Sequence, residues 1–264
     1  MSFIYPRKSK TVVAFTLEIY YNTLVRSISN RILQYSFDHQ LTHVPSALSM
    51  LTYIDVLFTN EYIKPYRDRI VLGKPFGSQA YYILWKDLGY LTEIEDLSVG
   101  VKHDEIKFVD YGEETMGNAL GVATGIALAN PQQLVWVNIT DATLQMGSTL
   151  EALQYIGHHR IYNVLVTVDY NNMQVTGFTD NVLTVDPIID MCRGYDWLTY
   201  DVEGHDVDKI KDNWNHSVNS PLSRNQPRPR IFFFKTTKGH GVPYMEKDPV
   251  KWHYKPMEEM YCEV

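Results

Sequence analysis

The sequence predicts an α/β fold, a three-layer sandwich whose mostly parallel central sheet is flanked by helices. Three observations predict it. Two short apolar runs, 134–139 (Leu-Val-Trp-Val-Asn-Ile) and 164–168 (Val-Leu-Val-Thr-Val), have the length and composition of buried strands. Between them Leu144, Leu150, Leu153 and Ile156 recur at threes and sixes, a helical spacing. Each run then gives way to polar residues, Asp141 after the first and Asn171-Asn172 after the second. Strand, helix and strand within roughly thirty residues form a βαβ unit, which needs a right-handed crossover and therefore a parallel sheet.

The other elements follow in chain order. Residues 10–35 read as a helix leading into a turn at His43, and 46–58 as a second helix. The helix after Thr115 carries Gly117, Gly121 and Gly125 four apart, with Ala119, Ala123, Ala127 and Ala129 around them. Each glycine costs a helix about 1 kcal/mol, so this face is expected to meet something at very close range. That contact is either a neighbouring helix of the same domain, or another subunit or a ligand pressed onto the backbone. Residues 215–230, polar and carrying Pro221, Pro227 and Pro229, read as a surface loop before a strand at 231–235. No composition break or repeat divides the chain, and one domain is expected over 1–264.

Composition excludes several classes. The formal charge is −7, from 24 basic and 31 acidic residues, which argues against a general nucleic-acid-binding surface. No apolar run approaches the roughly eighteen residues of a membrane span. The first residues have a basic spot but no apolar signal core, and two cysteines, Cys192 and Cys262, make no disulfide framework. A reduced, cytoplasmic setting is the expectation.

The chemistry is concentrated at Asp141 and Asn171. Ligands of parallel sheets collect at the carboxyl ends of the strands. A carboxylate and an amide delivered there from adjacent strands suit a hard divalent cation, magnesium or else calcium, which takes oxygen ligands; magnesium commonly shares its shell with phosphates.

The order Asp141, about thirty residues, then Asp169-Tyr-Asn-Asn-Met-Gln-Val-Thr-Gly177 resembles the thiamine diphosphate motif of the transketolase family. Further blocks resemble the same family in the same order: His43-Val-Pro-Ser-Ala-Leu-Ser49, Asp68-Arg-Ile-Val-Leu-Gly-Lys-Pro-Phe-Gly77, Thr115-Met-Gly-Asn-Ala-Leu-Gly121, Glu203-Gly-His-Asp206, and Lys235-Thr-Thr-Lys-Gly-His-Gly241 with Trp252-His253. The resemblance spans roughly residues 40–255.

It implies a thiamine diphosphate-binding fold and a set of roles. Asp141, the Asn171 side chain and the Met173 carbonyl would hold magnesium. Ala142, through its backbone N–H, and Thr143 would meet the diphosphate; Met116, Gly117 and His253 would also lie against the cofactor. His43, and more weakly His103, would contact substrate and move protons. All matched blocks belong to the diphosphate-binding half. The pyrimidine-binding domain, which supplies the glutamate that activates the cofactor, is expected on a second chain. The implied assembly is a heterotetramer built around a homodimer of this chain, acting on sugar phosphates by transfer of a two-carbon ketol unit, and inactive without the partner.

The chain also departs from the family. Phe76 replaces a histidine, Met146 replaces a glutamate that couples the two active sites, and Thr140 and Ala142 replace glycines. These departures motivate an alternative, a catalytically degenerate scaffold that only binds a partner. A third reading, the α subunit of a 2-oxoacid dehydrogenase, shares the fold but fits the Met173–Gly177 tail and the C-terminal blocks less well.

Overall fold

The computed structural model describes residues 27–93, 106–219 and 227–257. At its centre, six strands form one parallel sheet in the order β2-β1-β3-β4-β8-β7. They are β1 (Arg69–Leu72), β2 (Tyr111–Gly112), β3 (Val135–Thr140), β4 (Val164–Tyr170), β7 (Leu198–Glu203) and β8 (Arg230–Lys235). A small antiparallel hairpin, β5 (Met173–Gln174) with β6 (Gly177–Phe178), stands apart from it.

Strands β3 and β4 are buried from Val135 to Thr140 and from Val164 to Asp169. A sheet covered on both faces takes continuous apolar runs, which is what these segments supply. Alternation then sorts the side chains between two layers. Trp136, Phe232 and Phe234 face one core with Tyr53, Tyr81, Trp85 and Trp214. Val135, Val137, Ile139 and Phe233 face the other with Ala123, Leu153, Ile156 and Cys192.

The first layer is made by α1 (27–38), α2 (Val44–Thr59), α3 (Gln79–Asp87) and α8 (Val207–Asn219). The second is made by α4 (Ala119–Ala129), α5 (Gly147–His158) and α7 (Asp186–Gly194). The βαβ unit is as expected, with β3 and β4 paired in parallel from Val135↔Val164 to Thr140↔Asp169. Its helix starts later than the periodicity suggests: Leu144 lies in a 3-10 turn, Asp141–Gln145, that precedes α5. Two short helices, α6 (Thr179–Val182) and α9 (Pro243–Lys247), complete the described elements.

Two expectations need correction. The segment 215–230 is not all loop, because α8 continues to Asn219 and buries Ser217 on the same face as Ile210 and Trp214. The first helix, over its described part, runs on to residue 38, three beyond the expected end, with Ile28 and Ile32 in the core.

The glycine face of α4 also resolves one way. This helix packs through Ala119, Leu120, Ala123, Thr124 and Ala127. Among the described residues a Cβ built at Gly121 or Gly125 would meet nothing within 4 Å, whereas Gly117 falls in the turn before the helix, at φ 126°, where a Cβ would lie 3.1 Å from Ser148 Oγ. Gly157 is the opposite case: there a Cβ would lie 2.4 Å from the Tyr195 carbonyl oxygen and 2.7 Å from Trp197 Nε1. In the isolated chain, Gly121→Ala should raise stability by up to about 1 kcal/mol through helix propensity. Gly157→Ala should instead lower it by about 1–3 kcal/mol through overpacking. Urea unfolding of the two variants checks the contrast.

Candidate functional site

The chain leaves β1 to build β2 on one side and β3 on the other, so a crevice opens at the carboxyl ends of β1 and β3. The polar residues gather there. Asp169, at the end of β4, is fully buried. Its carboxylate pairs with Lys74 Nζ and accepts from Ser49 Oγ at 2.6 Å, Asn171 Nδ2 at 2.8 Å and Thr236 Oγ1. Burial alone would raise its pKa, but the charge and hydrogen bond of Lys74, with hydrogen bonds from Ser49 and Thr236, hold it below the usual aspartate range.

Asp141 has a different environment. One carboxylate oxygen accepts from Thr140 Oγ1 at 2.9 Å and from the Ala142 N–H at 2.8 Å, and the other from Thr179 Oγ1 at 3.2 Å. No lysine or arginine among the described residues makes an ion pair with it. Burial, with the nearby negative charge of Asp169, pushes its pKa up to about 6.

The paired asparagines have separable backbone jobs. Asn171 Oδ1 accepts the Met173 N–H at 3.0 Å, closing a tight turn. Asn172 takes the left-handed conformation, φ 53°, which asparagine tolerates, and its amide grips Asp180 at the start of α6. Together they swing the chain off β4 into the β5–β6 hairpin, which brings Met173 and Gln174 back over the crevice.

The result is a cavity of about 170 Å³. Lys74, Lys238, Asn171, Thr140, Ser46 and His253 contribute polar groups, while Pro75, Phe76, Met116, Ala142, Met146, Met173 and Val175 contribute apolar wall. Lys238 is 5% exposed, with Nζ 3.0 Å from His253 Nδ1. Burial and then the charge of Lys74 lower its pKa to about 7.

His43 lies just behind the wall in a left-handed conformation, φ 60°, at the entrance of α2. Its ring stacks on Phe76 at 4.3 Å between centroids, with His253 and Tyr254 edge-on at 5.2 and 4.7 Å. Nδ1 meets Thr42 Oγ1 at 2.8 Å, while the buried Nε2 has no partner among the described residues. Burial, then the charges of Lys238 and Lys74, lower its pKa to about 4, and similar causes lower that of His253 to about 3.

The fold thus brings Asp141, Ala142, Asn171, Met173, Met116, His43 and His253 to one edge of the sheet. Gly117 anchors its turn, its carbonyl accepting from Ser148 Oγ at 2.7 Å, and does not line the cavity. Thr143 is buried within the 3-10 turn, and the Ala142 N–H is directed at Asp141. His103 lies outside the described residues.

Three residues in or next to the site are missed by the sequence reading. Lys74 and Lys238 follow β1 and β8 by two and three residues, so the strand-end rule that singled out Asp141 applies to them equally. Glu113 gave no such signal. It is 2% exposed and accepts the N–H groups of Gly117, Asn118 and Ala119, closing the start of α4. Among the described residues, no three His, Cys, Asp or Glu side chains cluster as a metal site. A cation here would rely on the Asp141 carboxylate, amide and carbonyl oxygens, and its ligand's own oxygens.

Comparisons with known proteins agree with this geometry. A sequence model described as transketolase, thiamine diphosphate binding domain, matches residues 123–260. Transketolase-like protein 2 of Bos taurus is 28% identical over 235 residues, 81% of this chain and 37% of that protein. The 6-deoxy-6-sulfo-D-fructose transketolase subunit SqwG of Clostridium sp. (strain MSTE9) is 27% identical over 210 residues, 75% of this chain and 74% of that one. The chain therefore spans about a third of the length of the first relative and most of the second. Among solved structures, transketolase from Campylobacter jejuni superposes with a TM-score of 0.73 at 19% identity, covering 89% of this chain and 41% of that chain.

The buried neutral histidines have a measurable consequence. His43 and His253 bind protons more weakly when folded than the ordinary 6.5. Between pH 6.5 and about 4 the unfolded chain therefore takes up protons that the folded chain refuses, and stability falls as pH falls. Each histidine contributes a slope of up to about 1.4 kcal/mol per pH unit. Asp141, shifted the other way, offsets part of this below pH 6. Urea unfolding at pH 7 and pH 5 should show the loss, and His253→Gln should reduce it, leaving the contributions of His43 and of His205, whose pKa burial also lowers to about 4.

Proposed function

Since the chain belongs to the transketolase family through its thiamine diphosphate binding domain, we propose that it is the diphosphate- and magnesium-binding subunit of a two-chain ketol transferase acting on sugar phosphates. The convergence of hard oxygen donors, two buried lysines and a neutral imidazole on one cavity carries this reading. The residues fit the group. Asp141 is a buried carboxylate with no ion-pair partner among the described residues, behind the cavity wall made by its neighbours Thr140 and Ala142, and Asn171 in that wall offers an amide oxygen, a donor set that suits magnesium. The Met173 carbonyl would complete the protein's share. The metal would anchor and neutralise the diphosphate, with Lys74 and Lys238 facing its oxygens. When bound, thiamine diphosphate supplies the carbon nucleophile that takes up the ketol unit.

The chain's own residues then orient and move protons. His43 would exchange a proton with a substrate hydroxyl, a role supported by its Nε2, which has no partner among the described residues, on a ring held by Phe76, His253 and Tyr254 just behind the cavity wall. The methionines, Phe76 and Val175 exclude water from the cavity. A second chain would bring the pyrimidine domain and its glutamate. Supporting this, Val175, Phe178, Val182 and Leu183 are about half exposed beside the cavity, and one relative of comparable length is itself named as a single subunit of a transketolase. The open glycine face of α4 suits a second copy of this chain, giving a cytoplasmic heterotetramer. The scaffold reading is favoured by Phe76 and Met146, which put apolar groups where the family resemblance implies a proton donor and a coupling carboxylate.

Thiamine diphosphate should bind only with a divalent cation, and at a hundred times its dissociation constant it should stabilise the chain by about 2.7 kcal/mol. Asp141→Ala should keep the fold and lose that shift; an undiminished shift would remove Asp141 from the metal site. Thermal shift with and without magnesium, with the partner present and absent, measures this.

With the partner, His43→Ala should slow ketol transfer by about 10²–10⁴-fold, and Phe76→His should raise a modest wild-type rate. Deuterium exchange at thiazolium C2 reads activation without a choice of sugar. A reconstituted complex that binds cofactor but never accelerates that exchange would leave the scaffold reading.

A further inference from the structure

We propose that His205 is a positioning residue for Lys238: it fixes the loop 236–241 in the shape that keeps this lysine buried in the cavity wall. What Lys238 does there rests on the cofactor reading above; how it is held does not.

Burying an ammonium group without a carboxylate is unfavourable, and Lys238 has no carboxylate contact among the described residues. Beyond its contact with His253 Nδ1 at 3.0 Å, its position is imposed by the backbone that carries it. Beyond β8 that backbone is pinned at successive points. Thr236 Oγ1 donates to Asp169, the Thr237 N–H to His205 Nε2 at 2.8 Å, and the Gly239 N–H to the Pro45 carbonyl at 3.0 Å. The bond to His205 acts on the residue immediately before Lys238. It is also how the edge strand β7, whose end carries His205, reaches the site.

His205 grips the loop twice. Its edge accepts the Thr237 N–H, and its face carries the ring of His240 at 3.5 Å between centroids and 13° between planes. Because Nε2 accepts, the ring proton sits on Nδ1, which faces Thr52 Oγ1 on α2 at 3.4 Å. The same helix carries Ser46, which also lines the cavity. One imidazole thus braces α2, the end of β7 and the lysine loop together. Burial, and then the charge of His240, lower its pKa to about 4, with Asp169 opposing, so the accepting neutral form prevails at neutral pH. This also gives a role to the Glu203–Asp206 block, which the proposed chemistry does not otherwise use.

The test is His205→Phe, which keeps a ring against His240 and removes the acceptor, compared with His205→Gln, whose amide oxygen replaces it. The first readout is the pH midpoint of Lys238 acetylation, followed by mass spectrometry on the full chain without cofactor. The wild-type midpoint should lie near 7. In His205→Phe it should rise by about one pH unit or more as the amine regains water, and His205→Gln should return it. The second readout is the dissociation constant of thiamine diphosphate with magnesium, expected to weaken about 3–10-fold in His205→Phe and to recover in His205→Gln.

A His205→Phe chain, folded by circular dichroism, with the wild-type midpoint and affinity overturns the proposal. Should that variant not fold, His205→Asn, too short to reach Thr237, gives the same readouts. If the wild type fails to bind thiamine diphosphate, the cofactor reading falls, while the acetylation midpoints still decide the role of His205.

Discussion

The buried pair of Lys74 and Asp169 is the interaction on which the site depends. Asp169 ends β4, Lys74 follows β1, and β3 lies between those strands, so the pair bridges the crevice across the strand that carries Asp141. Ser49 brings in α2 and Thr236 the segment beyond β8. Removing one partner from such a pair leaves a buried charge, typically at about 3–5 kcal/mol. Asn171 also donates to this carboxylate, so the orientation of its amide is set by the same anion.

Around that fixed point the ionisable groups are held away from their solution behaviour. Asp169 stays charged, Asp141 sits near the boundary between its two forms, Lys238 has lost much of its basicity, and His43 and His253 are neutral. Burial is the first cause for Asp141, Lys238, His43 and His253, and the two lysines are the next influence on His43; Asp169 stays charged against its burial, through Lys74. Clusters of this kind characterise functional sites more than structural ion pairs, because stability alone would favour apolar replacements.

Much of this was legible in the sequence. The βαβ unit follows from two apolar runs and a helical spacing, and Asp141 and Asn171 follow from the place where those runs stop. The rest required three dimensions. The partners of Asp169 stand 120, 95 and 67 positions away, at Ser49, Lys74 and Thr236, and no local pattern joins them. Glycine spacing in α4 marked an unusual helix face but not what covers it, since the same pattern serves a packed and an open surface. The polar stretch 215–219 looked like loop because α8 buries only one narrow face, and its charged remainder hides the period.

Glu113 has a further consequence. By accepting the N–H groups of Gly117, Asn118 and Ala119, it neutralises the positive end of α4 from within the chain. The turn that carries Met116 into the cavity wall is therefore ordered during folding, without help from a bound anion. Its conformational entropy is lost before any ligand arrives and is not subtracted from affinity at the moment of binding. That wall is preorganised, and a ligand entering the cavity meets it already in place.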